Sequence, residues 1–314
     1  LCLIGLGVSG GVLQNTAKAE VEVVPVKNVI VIMSDGMGSS HTTITRWMNG
    51  KPLNAEEHVS GAIRTYAADS LITDSAPAAT AFATGNKSNT KLVGVLPYRA
   101  TLPGAQASED QKYRPCATVL EAAKLKGKAT GIIATSNVQH ASPAGYTAHT
   151  GNRNDYTDIA SQQVYQDIDV VLGGGWQFLL PEAQGGVRKD GINLESVLKT
   201  RGYGMVKTKE ELAKWNGTKL WGLFSPNAMA YDIDRPFIAP TEPSLSEMTD
   251  KAIQTLAKNP KGFFLFVEAS KVDWASHAND PMGVISDTLA WDASVKVAVD
   301  FAKKNPGTIV ITFF

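Results

Sequence analysis

The 314 residues carry no excess of charge of either sign: Lys and Arg together number 30, and so do Asp and Glu. No global field therefore draws the chain toward nucleic acid or an anionic membrane, and any anionic ligand must be held by a local site. Cysteine is scarce. Only Cys2 and Cys116 are present, and the first falls in a segment read below as a leader. The mature chain is thus expected to have no internal disulfide and to pack Cys116 as a small apolar residue. The apolar run from Leu1 to Leu13 is too short to span a bilayer. No internal repeat, low-complexity tract or linker divides the chain into independent domains. What remains, 43% apolar and 19% charged residues, is the composition of a globular protein able to bury a large core.

Leu1 to Leu13 lead through Gln14, Asn15 and Thr16 into Ala17-Lys18-Ala19. This pattern matches the end of a secretory signal cleaved before Glu20, with a buried N-terminal strand as the alternative. The expectation is a signal remnant over 1–19, a folded domain over 20–314, and a secreted or cell-envelope protein with no transmembrane span once mature.

Short β-branched or aromatic runs at Asn28–Met33, Gly262–Val267 and Thr308–Thr312 read as central strands of a parallel sheet covered on both faces, with weaker candidates at Ala129–Thr135 and Asp167–Leu172. Helical patterns lie between them. Thr118–Lys126 ends at Gly127, Ser244 and Glu247 form a capping box ahead of an apolar stripe, and a third helix runs from about Met282 to Lys304, before Pro306. The alternation predicts a doubly wound α/β fold, a mostly parallel central sheet with helices on both faces. Pro97–Pro115 and much of Gly173–Pro243 read as surface excursions from it.

Ligands of open α/β sheets bind beyond the carboxyl ends of the strands. Asp35 follows the first strand, Ser142 lies in the segment after the second, and Glu268, Asp273 and His277 follow a third. Asp35 before glycines suits a turn as well as a ligand. Glu268 ends an apolar run, where a carboxylate needs a charge partner or a metal. Asp273 and His277, four apart, suit an ion pair or chelation. Ser75 opens an Ala-rich helical segment, where free N–H groups favour phosphate, although Asp74 or Ser75 as a plain helix cap fits the same pattern. Arg153, in a polar loop, offers a planar fork for two phosphate oxygens or is simply solvated.

Together these segments resemble the alkaline phosphatase family from about Val26 to Thr312. The nucleophile signature stands as Ile72-Thr73-Asp74-Ser75 followed by Ala76, Ala78, Ala79 and Thr80, with Pro77 in the run of small residues. The other blocks follow in the family's order: Asp35-Gly36-Met37-Gly38, Gln139 to Gly145, Arg153, Leu172 to Gly175, and Val267-Glu268 with Asp273 and His277. The resemblance implies hydrolysis of small phosphate monoesters through a phosphoserine on Ser75, with two zinc ions and one magnesium. Asp35, Ser142 and Glu268 would hold magnesium, Asp273 and His277 the first zinc, and Asp35 and Ser75 the second. Arg153 would clamp the phosphoryl oxygens. His140 and Trp274 occupy positions that vary within the family, and Trp274 reads as a wall of the phosphate pocket or as a packed residue. The resemblance leaves room for a homodimer and gives no nucleic-acid partner.

The family continues past its last strand with Thr-Ala-Asp-His-Glu and a later His, whereas Thr312 is followed here by Phe313 and Phe314. On this reading the domain is incomplete at its C-terminus and the chain by itself has little phosphatase activity. A phosphodiesterase or sulfatase of the same superfamily, or an inert metal- or phosphate-binding remnant, are the competing readings.

Overall fold

The computed structural model describes residues 24–314, so the expected signal remnant lies outside the described residues. One sheet contains β1 (Asn28–Ser34), β2 (Ala129–Asn137), β3 (Val170–Gly174), β4 (Gly204–Val206), β5 (Leu220–Ser225), β6 (Phe263–Ala269) and β7 (Thr308–Phe313). Its order is β4-β5-β3-β2-β6-β1-β7, and every neighbouring pair is parallel. Strand alternation explains the two layers of helices. Ile30 and Ile32 of β1 enter one core, closed by Met248, Ala252, Trp291 and Val295 from the helices Leu245–Leu256 and Pro281–Lys304. Val31 and Met33 enter the other, closed by Leu120, Val164 and Leu198 from the helices Val119–Leu125, Tyr156–Tyr165 and Leu194–Thr200. The doubly wound α/β sheet expected from the sequence is present.

Three expectations change. Gly173–Pro243 is more than a surface excursion, because it supplies β4 and β5, and Trp221 of β5 is fully buried. Gly222 obscured β5 in the sequence; a Cβ there would lie 2.7 Å from Leu172 Cδ2, so close strand packing requires the glycine. The strand expected at Asp167 begins at Val170 instead, since Asp167 takes a positive φ of 59° and Asp169 accepts a hydrogen bond from the Thr130 N–H at 2.8 Å. Finally, β7 pairs only with β1 among the described residues, and Ile309 and Ile311 are exposed; it is an edge strand here, not a central one. Cys116 is buried, as expected.

The capping box at Ser244 forms: the Ser244 N–H donates to Glu247 Oε2 at 2.7 Å and the Glu247 N–H donates to Ser244 Oγ at 3.2 Å. Ser244→Ala removes an acceptor for an otherwise free helix N–H. It is expected to lower stability by about 1 kcal/mol, read as a lower urea midpoint with unchanged slope.

The connectivity positions the site. From β1 the chain crosses to β2 and works outward through β3, then returns to insert β6 between β2 and β1, pairing Glu268 with both Met33 and Ala134. The carboxyl ends of these three strands therefore lie side by side at a reversal of strand order.

Candidate active site

Asp35 leaves β1 with its N–H donating to Ala269 C=O at 3.2 Å, which locks the following loop to β6. Glu268 belongs to β6 itself and is fully buried. Ser142 is the second residue of the helix Ala141–Thr147 and is also fully buried. That helix packs tightly on the helix Ser75–Thr84: a Cβ on Gly145 would lie 2.8 Å from Ala79 Cβ. Ser75 is the first residue of its helix, and its hydroxyl donates to Asp35 at 3.2 Å (Oδ1) and 3.1 Å (Oδ2).

Asp74 occupies the N-cap position but makes no side-chain cap. Its carboxylate instead accepts from the Lys91 N–H at 2.6 Å and pairs with Arg153 Nη1. The cap reading of Asp74 thus gives way to an anchoring role. Arg153 is not a solvated loop residue: besides Asp74, its Nη2 lies 3.3 Å from His140 Nε2, and its side chain is only 18% exposed. A guanidinium only donates, so His140 accepts through Nε2. Burial, then the Arg153 charge, pushes the His140 imidazole down to about 4 and keeps it neutral. Trp274 meets the His140 ring edge-on, with the ring centroids 5.6 Å apart.

On the helix Lys271–His277, Asp273 and His277 form the expected i,i+4 pair, Oδ1 to Nε2 at 3.5 Å, with His277 largely exposed. Burial holds the Asp273 carboxyl above its usual range. The structure therefore brings Asp35, Ser75, Ser142, Arg153, Glu268, Asp273 and Trp274 into one region, with His277 on its outer rim. Lys271, one turn before Trp274, was not legible as part of it. This lysine is 5% exposed, its Nζ sits 4.1 Å from the Trp274 ring and 4.6 Å from the Tyr231 ring, and burial lowers its amine to about 8.

The donors fit a cation. Both Glu268 carboxylate oxygens and Ser142 Oγ are buried with no hydrogen-bond partner. Ser270 and Ser142 lie close enough to favour the ionised Glu268 slightly, yet neither bonds it with normal geometry. Burial and then the Asp35 charge hold the Glu268 carboxyl well above its usual range, and burial and Asp273 do the same to Asp35. Such an arrangement is costly unless positive charge enters it. Among the described residues no three His, Cys, Asp or Glu side chains make a metal set alone. Beside Asp35 and Glu268, the further oxygen donors are the Ser75 and Ser142 hydroxyls.

The family model of alkaline phosphatase matches residues 26–313. The chain belongs to the alkaline phosphatase family. Alkaline phosphatase 4 of Bacillus subtilis is 37% identical over 324 aligned positions, covering 96% of this chain and 64% of the relative. The alkaline phosphatase of Schizosaccharomyces pombe is 35% identical, over 91% of this chain and 55% of its own. Among solved structures, that of the Thermus thermophilus alkaline phosphatase superposes with a TM-score of 0.81 at 33% identity, covering 92% of this chain and 59% of that one. A mutant of the alkaline phosphatase TAB5, which superposes with a TM-score of 0.77 at 30% identity over 92% of this chain and 77% of its own, was solved with magnesium in its M3 site. The chain thus spans between 55% and 64% of the length of the curated alkaline phosphatases named here. No helix among the described residues is long and apolar enough to cross a membrane.

Proposed function

We propose that the protein hydrolyses phosphate monoesters through a phosphoserine on Ser75. The observation that carries this reading is the Ser75 hydroxyl at the first turn of its helix, donating to Asp35 at 3.1 Å. The positive end of the helix dipole favours a dianionic phosphoryl group and a developing alkoxide there. Asp35 orients the hydroxyl and accepts its proton's bond, so an Oγ lone pair is free to approach phosphorus. In the first step the Oγ–P bond forms as the bond from phosphorus to the ester oxygen breaks; the Oγ proton passes to Asp35 and, through solvent, on to the leaving oxygen, which departs as the alcohol. In the second, water attacks the phosphoserine, and serine and inorganic phosphate are released. Arg153, held by Asp74 and His140, offers its fork to two phosphoryl oxygens. Trp274 walls that pocket, with Lys271 packed behind its ring.

Asp35, Ser142 and Glu268 would hold magnesium, Asp273 and His277 one zinc, and Asp35 and Ser75 the other. When bound, such a cation pair stabilises charge on both the attacking and the leaving oxygen. Two protein donors for each zinc are fewer than the three or more of a firm site. Kinetics are therefore best measured on an extended chimera, in which this chain is continued by the remaining part of the Bacillus subtilis relative. The chimera is expected to turn over p-nitrophenyl phosphate far faster than the bis ester or the sulfate. Preference for the bis ester would make it a phosphodiesterase, and turnover of none would leave the inert reading. The leader-like residues 1–19 support export, checked by sequencing the N-terminus of the mature protein.

Arg153→Ala removes two charge-assisted bonds and leaves Asp74 with only the Lys91 N–H. Inhibition by inorganic phosphate is expected to weaken roughly tenfold or more. An unchanged inhibition constant removes Arg153 from the phosphate site.

A further inference from the structure

The loop bearing Asp35 and the helix bearing Asp273 and His277 are joined by hydrogen bonds that the chemistry above does not use. His41 lies in the first turn of the helix Ser39–Asn49. The Gly38 N–H donates to His41 Nδ1 at 3.0 Å, and His41 Nε2 lies 2.9 Å from Ser276 Oγ. Ser276 Oγ in turn donates to Val272 C=O at 2.7 Å. A backbone N–H only donates, so Nδ1 is the acceptor and the ring proton sits on Nε2. Ser276, its own proton given to Val272, accepts from Nε2. Each bond then has a single direction, from Gly38 through His41 and Ser276 to Val272.

The ends of this relay flank the site. Gly38 closes the Asp35 loop, while Val272 and Ser276 immediately precede Asp273 and His277. Packing between the two elements leaves no slack: Gly36 has φ +62°, and a Cβ on it would lie 2.4 Å from Asp273 Oδ1.

We infer that His41, as its Nε2–H tautomer, is a positioning residue that fixes the spacing of Asp35 from Asp273 and His277 and thereby the zinc affinity of the site. This rests on the metal reading proposed above. The simpler role for His41 is half a helix cap, its ring accepting the Gly38 N–H as Glu or Gln does at that position. The two roles separate at Ser276, which has no part in the cap. Partners that orient metal ligands in this way typically contribute about 10–100-fold in affinity.

The test uses the 314-residue chain. Side-chain nitrogen NMR is expected to show His41 protonated on Nε2 and bare on Nδ1. Zinc titration against a competing chelator is expected to show about tenfold weaker binding in Ser276→Ala and in His41→Gln, which keeps the cap, with no further loss in the double variant. Wild-type zinc affinity in Ser276→Ala, independent losses in the double variant, or a proton on Nδ1 would overturn the inference. If the unaltered chain binds no zinc but the extended chimera does, the same titration on the chimera decides; if neither binds it, the metal reading fails separately, and the relay is decided by the tautomer and by Gly38 amide exchange. That exchange is expected to quicken in Ser276→Ala; unchanged exchange counts against the relay. Should His41→Gln not fold, Ser276→Ala alone decides.

Discussion

Ser75→Ala is expected to lower p-nitrophenyl phosphate turnover in the extended chimera by at least about a thousandfold, because the variant has no atom able to form the covalent intermediate. Inhibition by inorganic phosphate should change much less, since Arg153, its Asp74 anchor and the helix N-terminus all remain. The pairing of a large loss in kcat with a retained phosphate site distinguishes a nucleophile from a structural serine. A serine that only capped the helix would cost about 1 kcal/mol of stability and little else. Turnover within tenfold of the parent would remove Ser75 from the chemistry.

The second large effect concerns Glu268, whose two carboxylate oxygens are buried without a partner. Without metal, burial lifts the Glu268 carboxyl to about 8, so at neutral pH the chain must take up a proton there to fold; Glu268→Gln removes that cost while keeping the shape. The magnesium-free variant is therefore expected to be more stable than the parent by about 1–3 kcal/mol at neutral pH. Magnesium reverses the order. At a thousand times its dissociation constant the ion adds about 4.1 kcal/mol to a protein that binds it only when folded, and the variant should gain almost none of this. Urea unfolding of both proteins with and without magnesium measures the crossing. Equal stabilisation of both by magnesium would show that the ion does not sit at Glu268.

The parts of this site that were legible in the sequence share a physical cause. A carboxylate directly after Phe263–Val267 is anomalous in an apolar run, and a serine before Ala-rich helix is marked by its position alone. Those signals are local. His41 and Ser276 are 235 residues apart, and Arg153 and Asp74 are 79 apart, so their bonds exist only once β1, β2 and β6 have brought the loops together. Lys271 reads as an exposed charge until the rings of Trp274 and Tyr231 are seen 4.1 Å and 4.6 Å from its amine. The fold shows the same division. Continuous β-branched or aromatic runs disclosed β1, β6 and β7, whereas β4 has three residues and β5 is interrupted by Gly222. The edge position of β7 could not be read from Thr308–Thr312, because its composition matches that of β1 while its burial is set by pairing on one side only among the described residues.

Trapping the covalent intermediate decides whether Ser75 carries the phosphoryl group. The extended chimera, loaded with zinc and magnesium, is mixed with p-nitrophenyl phosphate carrying labelled phosphorus, quenched at low pH, digested and analysed by mass spectrometry. One phosphate per labelled chain is expected, on Ser75 in the peptide containing Asp74-Ser75-Ala76, with no label in Ser75→Ala. Label on another residue, or continued turnover in Ser75→Ala, would contradict that assignment.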